Sequence, residues 1–547
     1  MVTVLAEATV LDRAPRPAQR PGESSPARRI PLGAAAAALG AVGTLVTWLG
    51  SWNPSYWGDE AATVLSAERP IGTLFAELRS IDAVHGVYYL VMHFWIQAFG
   101  ASELSTRLPS ALAVGAMVAG TVVLGARLAD PRFGVVAGVV STLLPRTTFL
   151  ATEARSYAIG AAIAVWLTVF FVALWQRRET RLRPWIGYGL LVAAASYLFL
   201  YLLLLLAVHG AVLLASPTGR ARMRGWLVAA VVAIVAASPI VAIAYAERHQ
   251  VAFLASPSHA TAGNVLVAQW FGGAGITVAA WALILLGAIA VSSRALRESR
   301  SAYLNRGESD RAVVLLAGAW TVIPTALLLV GNAWVSPMYN SRYLAFCTPA
   351  VAMLVALGAI VLARLLTPAL RRVASGLVRR REGRPLVELT TVALAVVLVA
   401  LAALAVPGYL AQRGPYAKSG GSDLRQVADY IQQNARRGDA VVFDQATRQT
   451  QRPGLAARLY PAQFAGLRNV EIVTPYYERT RIWDQVAPLR DVISSLDASP
   501  TVWALELAKP GVAVPADIDE LTAHGYRVVG SRLIHRITVY RLQKEGA

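Results

Sequence analysis

Two adjacent acids, Asp59 and Glu60, stand in the stretch SWNPSYWGDEAAT (51–63) beside Trp52, Tyr56 and Trp57. Asp82 and His85 follow in SIDAVHGVYY (80–89), Arg107 in STRLPSAL (105–112), Glu153 and Arg155 in ATEARSYA (151–158), and Arg342 in PMYNSRYLAF (337–346). A guanidinium group grips phosphate through forked hydrogen bonds and keeps its charge when partly buried. A carboxylate beside it can act as general base towards a hydroxyl. Together these residue types suit a phosphorylated substrate, held by arginines while an acid activates an acceptor. Plainer roles are also open. Asp59 or Glu60 can favour the start of a helix at Ala61, Glu153 and Arg155 can form a structural pair, and Arg107 can be a helix-entry charge. Trp52, Tyr56 and Trp57 read as residues of an interfacial aromatic belt. No dense His/Asp cluster surrounds His85, which argues against a metal ligand there.

The elements that must position these residues are membrane helices. The 547-residue chain is 56% hydrophobic and 15% charged, where a soluble protein carries about a quarter charged residues. Its mean hydropathy is +0.50. Long Ala/Val/Leu runs alternate with short Arg-rich segments, and PLGAAAAALGAVGTLVTWLG (31–50) already has the roughly 20 apolar residues that a bilayer span requires. The formal charge of +19 gathers between those runs, following the positive-inside rule and setting nucleic-acid binding aside. The single cysteine, Cys347, excludes an internal disulfide and a cysteine-based metal cluster.

Residues 1–30, rich in Pro and Arg, read as a disordered cytoplasmic tail, and the run behind them as a retained span. Arg13, Arg16, Arg20, Arg28 and Arg29 hold the N-terminus inside, so that a first outer loop (51–107) carries the two acids. Spans are expected near 108–126, 133–150, 156–175, 226–245, 270–292, 312–332, 344–366 and 387–408. Basic segments at both ends of 186–216 predict a hairpin of two short spans turning near Tyr197–Tyr201, which makes about eleven spans in all. The Arg-rich segments 294–311 and 371–384 fall inside. From about 411 the composition changes. SDLRQVADYIQQNARRGDAVVFD (422–444) predicts an amphipathic helix, a turn and a buried strand, and 501–508 and 532–542 predict further strands. Residues 411–547 thus read as an extracytoplasmic α/β domain behind a membrane domain at 31–410. No G-x-G-x-x-G or P-loop is present.

GDEAAT (58–63), HGVYY (85–89), RLPSALA (107–113), ARSYA (154–158) and SRYLAF (341–346) resemble, in order and spacing, the C-type (GT-C) glycosyltransferases. The likeness is to the branch of protein O-mannosyltransferases and lipid-A aminoarabinose transferases. It covers roughly residues 31–410 and implies inverting transfer of a sugar from a polyprenyl-phosphate donor to a hydroxyl of a glycan, glycolipid or protein of the cell envelope. It implies Asp59 as catalytic base with Glu60 in support, and Arg107, Arg342 and Arg155 on the donor phosphate. Asp82, His85, Tyr88, Glu153, Tyr157 and Tyr343 would line the cavity. Gly86-Val87 departs from the prolines that follow the family's histidine. The resemblance requires no nucleotide cofactor and leaves a divalent metal open. The Ala/Arg/Val-rich, Lys-poor composition fits a GC-rich genome such as an actinobacterium's, for which mannose or arabinose would be the donor sugar. A transporter or flippase of lipid-linked sugars is the alternative, although no internal repeat of the kind common in transporters is visible.

Overall fold

A computed structural model describes residues 31–293, 307–377, 386–511 and 514–546. The tail at 1–30 and most of the two Arg-rich segments expected inside lie outside the described residues. The chain is helical up to residue 411. Apolar helix α1 (Leu32–Trp48) is followed by three short helices, α2 (Gly58–Glu68), α3 (Ile71–Leu78) and α4 (Gly86–Phe99). The helical body continues as α5 (Glu103–Leu128), α6 (Pro131–Leu143), α7 (Pro145–Leu150), α8 (Tyr157–Gln176), α9 (Leu182–Leu198), α10 (Leu204–Ala215), α11 (Met223–Ala246) and α12 (Ala274–Ser292). It closes with α13 (Gly307–Trp334), α14 (Thr348–Leu377) and α15 (Leu386–Ala411). Among the described residues, 7 spans are long and apolar enough to cross a membrane. α1, α6, α9 and α10 are shorter, and with them the helices follow the expected layout.

Two local features refine that layout. The span expected at 133–150 is broken between α6 and α7, because Pro145 has no N–H to continue the ladder and Leu144 before it is extended (φ −64°, ψ 129°). The 186–216 stretch does turn back on itself, at Phe199–Leu203. Across that turn the Tyr188 hydroxyl on α9 meets His209 Nδ1 on α10 at 2.6 Å, and the ring of Phe171 stacks on His209 at 4.0 Å. Helices α1 and α5 cross closely. A Cβ on Gly115 would lie 2.0 Å from Thr44 Oγ1, so only glycine fits that crossing. α4 leaves Val87, Val91, Phe94 and Phe99 exposed, as a helix lying at an interface would.

Beyond residue 411 comes α16 (Leu424–Asn434), then a five-stranded sheet in the order β2-β1-β5-β7-β6. Its strands are β1 (Ala440–Phe443), β2 (Arg468–Asn469), β5 (Thr501–Leu507), β6 (Tyr526–Leu533) and β7 (Ile537–Lys544); β3 (Ile472–Thr474) and β4 (Gln485–Val486) form a separate pair. β1 lies parallel between β2 and β5, in register Val442↔Ala504, and is buried throughout. β7 joins antiparallel between β5 and β6. The helix, turn and strand expected over 422–444 are present, as is the strand at 501–508. The alternating 532–542 stretch is corrected: it straddles the β6–β7 hairpin. The turn is formed by a distant side chain, since Asp423 Oδ2 accepts the N–H groups of His535, Arg536 and Ile537.

Candidate active site

Helix α2 begins with the two acids in its first turn, where the helix dipole favours negative charge. Successive residues on a helix point about 100° apart, so the pair separates. Glu60 turns inward and is fully buried, with both oxygens on Arg107: Oε1 accepts from Nε at 2.8 Å and Oε2 from Nη2 at 2.6 Å. The remaining Arg107 hydrogens go to the carbonyls of Ser51, Pro54 and Ser55, at 2.7, 2.8 and 3.4 Å. Every donor of this guanidinium is therefore used inside the protein. Arg107, expected on the donor phosphate, here braces the 51–60 loop and neutralises Glu60.

A second buried pair abuts the first. Glu153 Oε1 lies 2.7 Å from Lys418 Nζ, which also stands 3.9 Å from Glu60 Oε2 and donates to the Thr152 carbonyl. Glu153 Oε2 accepts from the Trp57 indole at 3.2 Å. Two acids and two cations thus cancel in the interior. Burial opposes ionisation of Glu60, but Arg107 and then Lys418 outweigh it and hold its carboxyl below the usual carboxylate range. Lys418 had no signature in the sequence, being 265 residues from Glu153.

Arg155 is buried too. Its Nη1 donates to the Asp59 carbonyl, Thr63 Oγ1 and the Tyr89 hydroxyl, its Nη2 meets His85 Nε2 at 2.9 Å, and only its Nε lacks a partner. Arg155, expected on the donor phosphate, is here bonded to α2 and His85. Asp82, with left-handed φ of 63°, accepts the Tyr89 hydroxyl at 2.5 Å. Burial and then the Arg155 charge push the His85 ring down to about 4, so it is neutral at pH 7. Tyr88 is buried and packs in a cluster with Leu74, Met92 and Ile96. The belt reading fits Trp52, which meets Trp48 edge-on, but not its neighbours. Tyr56 is fully buried with its hydroxyl 2.7 Å from Thr106 Oγ1, and Trp57 is buried against Glu153.

The outward-turned acid is Asp59. Its Oδ2 lies 3.2 Å from Arg342 Nη1, and the two side chains are 27% and 21% exposed, whereas Glu60 and Arg107 are 0% exposed. The Arg342 guanidinium lies over the Trp57 ring, 4.7 Å from its centroid, and Asn340 Oδ1 receives its backbone N–H. An aromatic row runs beside it: Tyr157 sits 6.2 Å from Tyr343, which stacks on Tyr201 at 5.3 Å. Arg146, whose sequence context carried no signal, is near enough for its charge and that of Arg342 to interact. It is steadied by the carbonyls of Gln269 and Ala268. Asp59, His85 and Asp82 are each engaged by Arg342, Arg155 or Tyr89, and no three His, Cys, Asp or Glu side chains converge among the described residues.

Residues beyond 411 also hold the loop that leads into α2. Arg425 donates to Glu103 at 2.6 Å and to the carbonyls of Trp52 and Pro54, while the Ser422 hydroxyl donates to the Tyr56 carbonyl. Gly58 meets the loop after β1 so closely that a Cβ there would lie 2.2 Å from the Thr450 carbonyl oxygen. Gly58→Ala should therefore destabilise the protein by about 1–3 kcal/mol through overpacking. Its thermal unfolding in detergent tests this, and an unchanged melting temperature would mean that the loop yields freely.

The architecture is that of a polytopic α-helical membrane protein with a C-terminal α/β domain, and the helical part has the GT-C fold. Among solved structures the chain is similar to ArnT from Cupriavidus metallidurans bound to undecaprenyl phosphate, with a TM-score of 0.51 and 14% identity over 92% of this chain and 97% of that one. It also matches the archaeal oligosaccharyltransferase AglB from Archaeoglobus fulgidus at a TM-score of 0.44 and 10% identity, covering 86% of this chain and 69% of that one. No protein-family model and no curated protein matches the sequence.

Proposed function

We propose that the protein is a membrane glycosyltransferase that moves a sugar from a polyprenyl-phosphate donor to a hydroxyl of a cell-envelope glycan, glycolipid or protein, with inversion. The observation that carries this reading is the half-open Asp59–Arg342 pair, set beside a buried cluster in which Glu60 and Glu153 are already matched by Arg107 and Lys418. Arg342 holds the lipid phosphate, with Arg146 alongside, and the row of Tyr157, Tyr343 and Tyr201 lies against the lipid or the sugar ring. When phosphate draws Arg342 away, Asp59 is left to accept the proton of the acceptor hydroxyl. The acceptor oxygen attacks the anomeric carbon, the carbon–oxygen bond to phosphate breaks, and polyprenyl phosphate leaves with the electron pair, its charge met by arginine. The undecaprenyl phosphate in the ArnT structure that shares the fold fits this donor class. Mannose and arabinose are the sugars we favour, in a plasma membrane with the N-terminus cytoplasmic and the α/β domain outside.

Purified protein given radiolabelled polyprenyl-phosphate mannose or arabinose and envelope acceptors should form labelled product. Arg342→Ala should lose about 10- to 100-fold in kcat/KM for the donor, the worth of a charged hydrogen bond, and Arg342→Lys should recover part of it. Equal rates in the Ala variant would remove Arg342 from the reaction. Orientation is read separately. Ser80→Cys, at an exposed position, should react with an impermeant maleimide on intact cells, and labelling only after permeabilisation would invert the topology.

A further inference from the structure

A cavity of about 240 Å³ opens in the α/β domain, between the loop after β1, the short helix Leu455–Leu459 and the β3–β4 pair. Its wall mixes groups in an unusual way. Trp483, Phe464 and Phe443 give flat apolar surface, and Glu471 and Asp484 give carboxylates. Glu471 is 1% exposed and fixed by the Phe443 N–H at 2.9 Å and the Gln445 amide at 2.7 Å. Asp484 is gripped by Arg458 through Nε and Nη2 at 2.7 and 2.8 Å. Donors remain unspent: Nη1 of Arg452 and of Arg458, Nδ2 of Asn469 and the Trp483 indole have no protein acceptor among the described residues.

The occupant must use both kinds of surface. A purely apolar chain would strand the buried polar groups, which is costly. A phosphate would meet two carboxylates. A neutral sugar ring offers hydroxyls that donate and accept at close spacing and an apolar face that lies on an aromatic ring. Burial pushes the Glu471 carboxyl up to about 8, so at neutral pH it carries a proton to donate. The cavity is also tied to the reaction centre. Leu65 of α2 lines it, six residues and so about 9 Å along the helix axis from Asp59. The loop Asp444–Arg452 contributes Asp444, Gln445, Gln449 and Arg452 to its wall and presses Thr450 against Gly58.

We propose that this cavity binds a neutral sugar unit of the acceptor, seating an oligosaccharide whose terminal hydroxyl reaches Asp59; the link to transfer rests on the function proposed above. The test has two arms. Saturation-transfer NMR of the detergent-solubilised full chain, with a mixture of short manno-, gluco-, galacto- and arabino-oligosaccharides, should give a signal. That signal should weaken about tenfold in Trp483→Ala and Glu471→Leu and persist in Asp59→Asn. No signal from any sugar, or an equal signal in Trp483→Ala, overturns the proposal. In the kinetic arm, Trp483→Ala should raise the acceptor KM about tenfold while leaving hydrolysis of the donor by water within about twofold. A parallel loss of donor hydrolysis would assign Trp483 a structural role and overturn the proposal. If Asp59→Asn transfers sugar normally while still binding oligosaccharide, the catalytic reading fails and the cavity stands.

Discussion

Asp59→Asn should lower kcat for sugar transfer by about 10²- to 10⁴-fold, the usual contribution of a positioned general base. The amide has the size of the acid, and its oxygen can still accept from Arg342, so α2 and the guanidinium should stay in place. What it cannot do is take a proton. Donor binding should hold steady or tighten, because Arg342 no longer has a charged competitor for its hydrogens. Stability should move by no more than about 0.5 kcal/mol, since the Asp59–Arg342 pair is part-exposed and such pairs contribute little. A split between lost turnover and retained donor binding, read by single-turnover kinetics and lipid-phosphate titration, separates a base from a brace. Transfer within tenfold of the parent would remove Asp59 from the chemistry.

The opposite pattern is expected one residue along. Arg107→Met should destabilise the protein by about 3–5 kcal/mol, because Glu60 would keep only the Ala154 N–H and Lys418, at 3.9 Å, in a fully buried place. The carbonyls of Ser51, Pro54 and Ser55 would also lose their donor. Glu60→Leu should cost a comparable amount by leaving Arg107 without its carboxylate. The double variant should cost less than the sum of the two, since its surviving buried charges, Glu153 and Lys418, are themselves a neutral pair. Thermal unfolding of the three variants in one detergent measures the coupling. Full additivity would mean that the two residues do not act together. Lost donor binding at unchanged stability would return Arg107 to the substrate.

Much of the fold could be read from one-dimensional signals. Apolar runs marked the spans, basic segments at both ends of 186–216 required a hairpin, and the 422–444 pattern changed period from helix to strand. The site was legible as a set of residues but not as a division of labour. Adjacent acids look alike in a string, and only the helical turn between them sends one to the interior and the other to the half-open pair with Arg342. The saturation of Arg107 depends on carbonyls, which carry no sequence signature. Lys418 and Asp423 escaped notice for a related reason: each acts on groups more than a hundred residues away in the chain. The 532–542 stretch misled because both arms of a hairpin alternate in the same way. Its turn has no glycine and is held by Asp423 instead.

The buried neutral cluster also sets a clock. Glu60, Arg107 and Glu153 are made early, but the cation that balances the second acid is Lys418, so until the ribosome has passed that residue the nascent site carries an uncompensated negative charge. At about 5–20 residues per second, the delay between Glu153 and Lys418 is on the order of tens of seconds. Throughout that interval α2 is held by Arg107 and Arg155, while Glu153 still lacks its cation. The segment around Lys418 thus completes the charge balance of the centre, and a chain whose synthesis stalls before it keeps Glu153 without its cation.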